Sequence, residues 1–285
     1  MFKSYYELTK PRVMYGNLIT TIAGFIFAAN GLINWGLFFA TSIGTALIIS
    51  SACVINNYLD QDIDAKMDRT KKRPLLTNEV SQRGAIVFGV TLGLLGVVFL
   101  IAFTNIWVVG VGVFGFVTYV WLYGVLGKRK SVHGTLVGSL SGAAPILAGY
   151  VAVKPGLDVT AVLLFLVLFF WQMPEFYSIS IYRRKEYAKA GVPVSSVVRG
   201  VPATKRQIYV YTALTVASIL ALAVTPLTSL SYTVIMLAMS ILWLKKTFAG
   251  IQTTDDITWS KQNFHFSLLV LVVFSITISI NPYMR

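Results

Sequence analysis

Residues 84–103 read GAIVFGVTLGLLGVVFLIAF, a stretch without one charged, amide or proline side chain. A helix rises about 1.5 Å per residue, so about 20 such residues cross a hydrocarbon core about 30 Å thick. The pattern recurs on both sides of this stretch. Apolar runs lie at 13–29, 36–57, 84–103, 106–126, 134–153, 159–180, 208–226, 231–244 and 264–280. They predict an all-α polytopic membrane protein with nine transmembrane helices, of which the eighth is the weakest. Composition agrees, with 56% hydrophobic and 12% charged residues among 285 and a mean hydropathy of +0.71. The first run follows Lys3, Lys10 and Arg12, as a signal peptide would. It lacks a small-residue cleavage site and eight more runs follow, so it reads as an uncleaved first helix.

The basic residues alternate with the runs. They gather at the N-terminus, in the loop after helix 2 (Lys66 to Arg83), after helix 4 (Lys128, Arg129, Lys130), after helix 6 (Arg183 to Arg206) and after helix 8 (Lys245, Lys246, Lys261). All but Lys154 and Arg285 of the 24 lie on one side, which predicts an N-in, C-out topology. The net charge of +13 is therefore mostly topological, and no DNA- or RNA-binding motif accompanies it. The single Cys53 excludes an intramolecular disulfide. No Gly/Ser linker divides the chain, so residues 1–285 read as one membrane domain. The two long inner loops stand four helices apart, an offset that preserves orientation and predicts a pseudo-repeat of helices 2–5 and 6–9.

The inner end of helix 2 reads NNYLDQDIDAKMDRTKKRPL over 56–75. Asn56, Asp60 and Asp64 are spaced by four, so on a helix they drift only ~40° per step and share one face, while Asp62 lies about 200° from Asp60. Two carboxylates and an amide oxygen suit Mg²⁺, which uses few protein carboxylates and takes further oxygens from a substrate diphosphate. Arg69, Lys72 and Arg73 follow with guanidinium forks and a point charge for phosphate. The plainer alternative is a solvated helix end, with Lys71 a topology determinant. Four aspartates within 60–68 would repel one another there unless a cation offset them.

Helix 6 ends in FFWQMPEFYSISIYRRKEYAKAGVP over 169–193. Pro174 predicts a kink or freed carbonyls, and Gln172 and Glu175 at membrane depth are candidates for a functional role. Arg183, Arg184, Glu186 and Tyr187 then mirror the acid and base complement of the first loop.

In these motifs the chain resembles the UbiA-type membrane prenyltransferases, and within them the branch that farnesylates heme b. The resemblance is carried by N-x₃-D-x₃-D followed by RTKKRPL, by KRKSVHGTLVGSLSGAAP at 128–145, by WQMP and RRKEYAKAGVP, and by DDITWSKQNFHFS at 255–267. It implies metal binding by Asn56, Asp60, Asp64 and Glu186, and diphosphate binding by Arg69, Lys72, Arg73, Lys128, Arg129, Arg184 and Tyr187. It implies a heme and prenyl pocket with Trp171, Gln172, Glu175 and Tyr123. The chain has Glu175 where that branch usually has His, and Glu186 where it usually has Asp. His133 and His265 are the two histidines left as candidate heme ligands.

The implied reaction uses Mg²⁺ to convert farnesyl diphosphate into an allylic cation, which a vinyl group of heme b captures before water adds. Tyr119, Trp121, Tyr123, Phe170, Trp171 and Phe176 are candidates to shelter that cation. The implied setting is the bacterial cytoplasmic (inner) membrane, with active-site loops on the cytoplasmic side and partners in terminal-oxidase assembly or heme handling. Two rivals remain: a sibling that prenylates a quinone precursor, and a transporter, whose carboxylates should lie near the bilayer midplane.

Overall fold

Six of the long helices begin at a side chain that closes their first turn, an arrangement written in the sequence as Asn, Ser or Asp before an apolar run. Asn34 accepts from the Leu37 N–H, Ser81 from Gly84, Asn105 from Trp107 and Val108, Asp158 from Ala161, Ser229 from Tyr232 and Asp255 from Thr258. The computed structural model describes residues 2–284; Arg285, counted above as an outer charge, lies outside them. Its elements in chain order are α1 (Phe2–Leu8), α2 (Pro11–Ala29), α3 (Trp35–Leu59), α4 (Gln61–Asp64), α5 (Gln82–Phe103) and α6 (Ile106–Val117). A π-helical segment (Thr118–Gly127) and α7 (Lys128–Lys130) continue α6. Then come α8 (Gly134–Val153), α9 (Val159–Tyr182), α10 (Arg184–Ala190), α11 (Ser195–Val198), α12 (Val201–Leu222), α13 (Leu230–Gln252) and α14 (Asp256–Ile280). The described residues form no strand.

Eight helices are long and apolar enough to cross a membrane. The weak member of the expected nine is the seventh rather than the eighth. α12 has 22 residues but starts at Val201, seven residues before the expected 208, and its first turns hold the polar Thr204, Lys205, Arg206 and Gln207. α13 runs 23 residues, about two turns beyond the expected end. The region after helix 6, read as a loop, holds α10 and α11. Pro174 does not break its helix: α9 continues through it, and the Ser178 hydroxyl donates to the Pro174 carbonyl at 2.7 Å.

The bundle is arranged around α2, α3, α8 and α9. Residues such as Val87, Leu94, Val98 and Ile101 of α5 face outward, as they must where lipid is the solvent, and the small Ala85, Gly89 and Gly96 face α3. The α2–α8 crossing is closer still. A Cβ on Gly149 would stand 1.9 Å from the Thr21 carbonyl oxygen, so only glycine allows these two backbones to meet. α12 and α13 pack behind α9 and α14, and α5 behind α3. That leaves α2, α3, the α6–π span, α8 and α9 to enclose a cavity.

Candidate active site

The cavity has a volume of about 340 Å³ and a polar end where α3 gives way to α4. Helix α3 stops at Leu59, and Asp60 sits between the two helices at φ −94° and ψ 7°. Because Asp60 N–H still reaches the Asn56 carbonyl (3.0 Å) and Asp64 N–H the Asp60 carbonyl (2.8 Å), the four-residue register survives the break. Asn56, Asp60 and Asp64 therefore line the cavity together, each at most 3% exposed. Asp62 points the other way. Its carboxylate takes a bidentate pair from Arg129 at 2.6 and 2.7 Å, and that guanidinium holds its carboxyl down at about 2.

Cations surround the stripe. Lys128 Nζ lies 2.5 Å from Asp60 Oδ2, Arg73 pairs with Asp64 Oδ2, and Lys10 Nζ donates to Asn56 Oδ1. Arg69 also lines this end. Lys10 precedes the first span and counted above only as a topological charge. In the structure its backbone adopts the left-handed φ of 50° and its side chain enters the site, where burial pushes its ammonium down to about 8. Nothing in the local sequence separates such a lysine from one that merely obeys the charge rule.

The second loop reaches the same end from the α9 side. Ile63, Met67, Ala190 and Val192 form a buried cluster joining the two loops, with Tyr187 and Val194 packed on it. Tyr187 lines the cavity, and burial raises its hydroxyl pKa. Glu186 stays outside the lining, 3.1 Å from Arg183 and 3.9 Å from Arg69.

Several expected contacts lie elsewhere. Lys72 and Arg184 are exposed and do not line the cavity, because each sits on the outward side of its loop. Arg129 is spent on Asp62 and on the Leu59 carbonyl, and stands 3.9 Å from Asp60. Trp171 is a buried core residue whose indole donates to the Ser267 carbonyl at 2.8 Å. Glu175 is off the cavity, and its side chain has no hydrogen-bond or ion-pair partner among the described residues. His133 Nε2 accepts from Arg199 at 3.1 Å and His265 meets the Lys261 carbonyl at 2.8 Å; neither histidine lines the cavity. Of the six aromatics, Tyr119, Tyr123 and Phe176 line it.

Within the π-helical segment Tyr119 and Tyr123 form a stacked pair, 5.7 Å between ring centres. Short π segments recur at functional sites, and one of this length is unusual. Gln172 closes the middle of the cavity. Its amide donates to the Leu168 and Ser139 carbonyls at 2.9 and 3.2 Å, and a Cβ on Gly142 would lie 2.0 Å from its Oε1. The result is an apolar chamber, from Ile48, Val111 and Phe116 inward, with one strongly polar end.

This architecture is that of the membrane prenyltransferases. The family model described as UbiA prenyltransferase family matches residues 17–269, and the chain belongs to that family. Among solved structures, a digeranylgeranylglyceryl phosphate synthase superposes with a TM-score of 0.83 at 18% identity, covering 99% of this chain and 98% of the other. A UbiA homologue from Archaeoglobus fulgidus bound to GPP and Mg²⁺ gives 0.71 at 16% identity, covering 97% and 99%. At those identities the likeness is one of fold.

Nearer in sequence is protoheme IX farnesyltransferase 2 of Chromobacterium violaceum, 44% identical over 281 residues, with 98% of this chain and 93% of that protein covered. The protoheme IX farnesyltransferases of Photorhabdus laumondii and Protochlamydia amoebophila are each 40% identical, over 99% and 98% of this chain and 96% and 98% of their own lengths. Within the UbiA family, these are the relatives with which the chain groups.

Proposed function

We propose that the chain transfers the farnesyl group of farnesyl diphosphate to a vinyl group of heme b, with addition of water, giving heme o and diphosphate. The observation that carries this is the burial of Asp60 and Asp64 among cations at the polar end of an apolar cavity, in a chain 44% identical to a protoheme IX farnesyltransferase. Asp60 and Asp64, with the Asn56 amide beside them, would hold Mg²⁺. Two features support that: the donors are hard oxygens, and Asp60 Oδ1 is buried without a hydrogen bond. Two carboxylates fit a cation that completes its shell with substrate phosphate and water. The Archaeoglobus fulgidus homologue bound to GPP and Mg²⁺ lends further support.

When bound, Mg²⁺ supplies Lewis-acid stabilisation to the leaving diphosphate. Arg69, Arg73 and Lys128 hold the phosphate oxygens, so charge that develops as the farnesyl C1–O bond breaks meets fixed cations in a site of low polarity. The bonding pair leaves with diphosphate and C1 becomes an allylic cation. Tyr119 and Tyr123 turn aromatic rings toward the chamber and shield that cation from early capture by water. The heme vinyl group donates its π electrons to C1. A C–C bond forms and positive charge passes to the carbon beside the porphyrin, where water adds and a proton is released.

The farnesyl chain would lie along Ile48, Val111 and Phe116 toward the bilayer interior. The polar end would face the cytoplasm in a single domain of nine spans, N-in and C-out, in a bacterial inner membrane; the basic residues of the inner loops support that orientation. The test is a product assay on purified protein with farnesyl diphosphate and either heme b or 4-hydroxybenzoate. Heme o formation with no prenylated benzoate is expected. Prenylated benzoate without heme o would assign the chain to quinone-precursor chemistry instead.

A further inference from the structure

Each residue of the buried stripe already has a cation on one of its oxygens, and the three cations come from three separate parts of the chain. Lys10 arrives from the segment before α2, Arg73 from the loop after α4, and Lys128 from the end of the π segment. Lys10 is held in place by its neighbours: Leu8 is fully buried, its carbonyl accepts from the Asn57 amide at 2.7 Å, and the Ser4 hydroxyl donates to Glu79 at 2.8 Å. A lysine at φ 50° keeps that conformation only where packing imposes it.

The charges at this end do not balance. Lys10, Arg69, Arg73 and Lys128 line it with Asp60 and Asp64, so four cations face two carboxylates; Glu186, outside the lining and 3.9 Å from Arg69, is shared with Arg183, and positive charge is left in excess. A bare divalent cation entering here would add to that excess. To take both oxygens of either carboxylate it would also have to displace Lys128 or Arg73 from Oδ2 and leave a partly buried cation without its partner, a costly outcome when an ion pair is broken from one side. A metal arriving with a diphosphate brings the negative charge onto which the displaced cations can move.

We propose that the metal and the diphosphate load as one unit by exchange of counterions: the metal takes the oxygens of Asp60 and Asp64, while Lys128, Arg73 and Lys10 move from those acceptors and Asn56 to the phosphate oxygens. Lys10 thereby becomes a diphosphate contact in the loaded state. The proposal rests on the metal-diphosphate reading of this site.

Purified protein in detergent, titrated with Mn²⁺ and followed by its electron paramagnetic resonance signal, tests it with and without a non-reactive farnesyl thiodiphosphate. The analogue is expected to tighten Mn²⁺ binding by about 10- to 100-fold, with the reciprocal gain for the analogue, as linkage requires. Lys128→Met and Lys10→Met should each bind Mn²⁺ alone more tightly than the unaltered protein and the analogue more weakly. Lys71→Met, an exposed lysine paired with Asp68 off the cavity, should behave like the unaltered protein and controls for the loss of a positive charge. Mn²⁺ binding that is equally tight with and without the analogue, and unchanged in Lys128→Met, would overturn the exchange while leaving the metal-diphosphate site standing. No Mn²⁺ bound even with the analogue present would overturn the site itself.

Discussion

After α3 the chain turns two carboxylates inward, Asp60 and Asp64, whose side chains are 1% and 5% exposed and whose partners Lys128 and Arg73 line the same cavity. After α9 a similar set of residues stays at the rim. The Glu186 side chain is 26% exposed and shared between Arg183 and Arg69, and Arg184 faces outward. Both loops carry acids and arginines at the inner end of an apolar helix, yet they differ in depth. Depth decides what such charges do. Exposed pairs are screened and contribute little, whereas buried ones are strongly coupled and leave a large penalty when one partner is lost. On the proposed function, the first loop carries the chemistry and the second closes the cavity beside it.

Substitutions along both loops sharpen this difference. Asp64→Asn should have the largest effect, because it removes a buried anionic ligand and strands Arg73; a fall in heme o formation of at least about 100-fold is expected, with membrane-inserted protein measured alongside. Arg69→Met comes next. It removes a cation from the lining and should cost about tenfold, mostly in KM for farnesyl diphosphate, in steady-state assays. Glu186→Gln should cost a few-fold and at most about tenfold, since it supports Arg69 from outside the cavity. A loss there equal to that of Asp64→Asn would break the distinction between the loops. Lys72→Met and Arg184→Met should each change transfer by less than about threefold, as expected for exposed charges.

Where lipid replaces water, the backbone must satisfy itself within helices, so apolar runs and their Asn, Ser and Asp caps leave few alternatives to a helical bundle. The runs at 84–103, 106–126 and 134–153 match their helices for that reason. The early start of α12 is not legible in the sequence because Lys205 and Arg206 look like loop charges. In the structure Lys205 is buried, donates to the Thr253 carbonyl at 2.7 Å and pairs with Asp256. The π winding at Thr118–Gly127 leaves no mark on hydropathy, since every residue there is compatible with an ordinary helix.

Within the site, Asp60 and Asp64 separate from Asp62 by the 3.6-residue period alone, and that period holds across the break at Asp60. Trp171 and Glu175 illustrate the opposite case. α9 is apolar nearly all round, so no face of it announces the cavity, and the two residues beside Gln172 turn out to point elsewhere. Lys10 was hidden for another reason: the charge rule already accounted for it.

The account is tested most directly by measuring heme o formation side by side in Asp60→Asn and Asp62→Asn, at matched levels of inserted protein and over a range of Mg²⁺. Both changes remove one charge from the same short segment, but Asp60 is buried in the cavity and Asp62 sits outside it on Arg129. The predicted result is a loss of at least about 100-fold for Asp60→Asn and less than about threefold for Asp62→Asn. Equal losses in the two variants, or an unimpaired Asp60→Asn at low Mg²⁺, would contradict it.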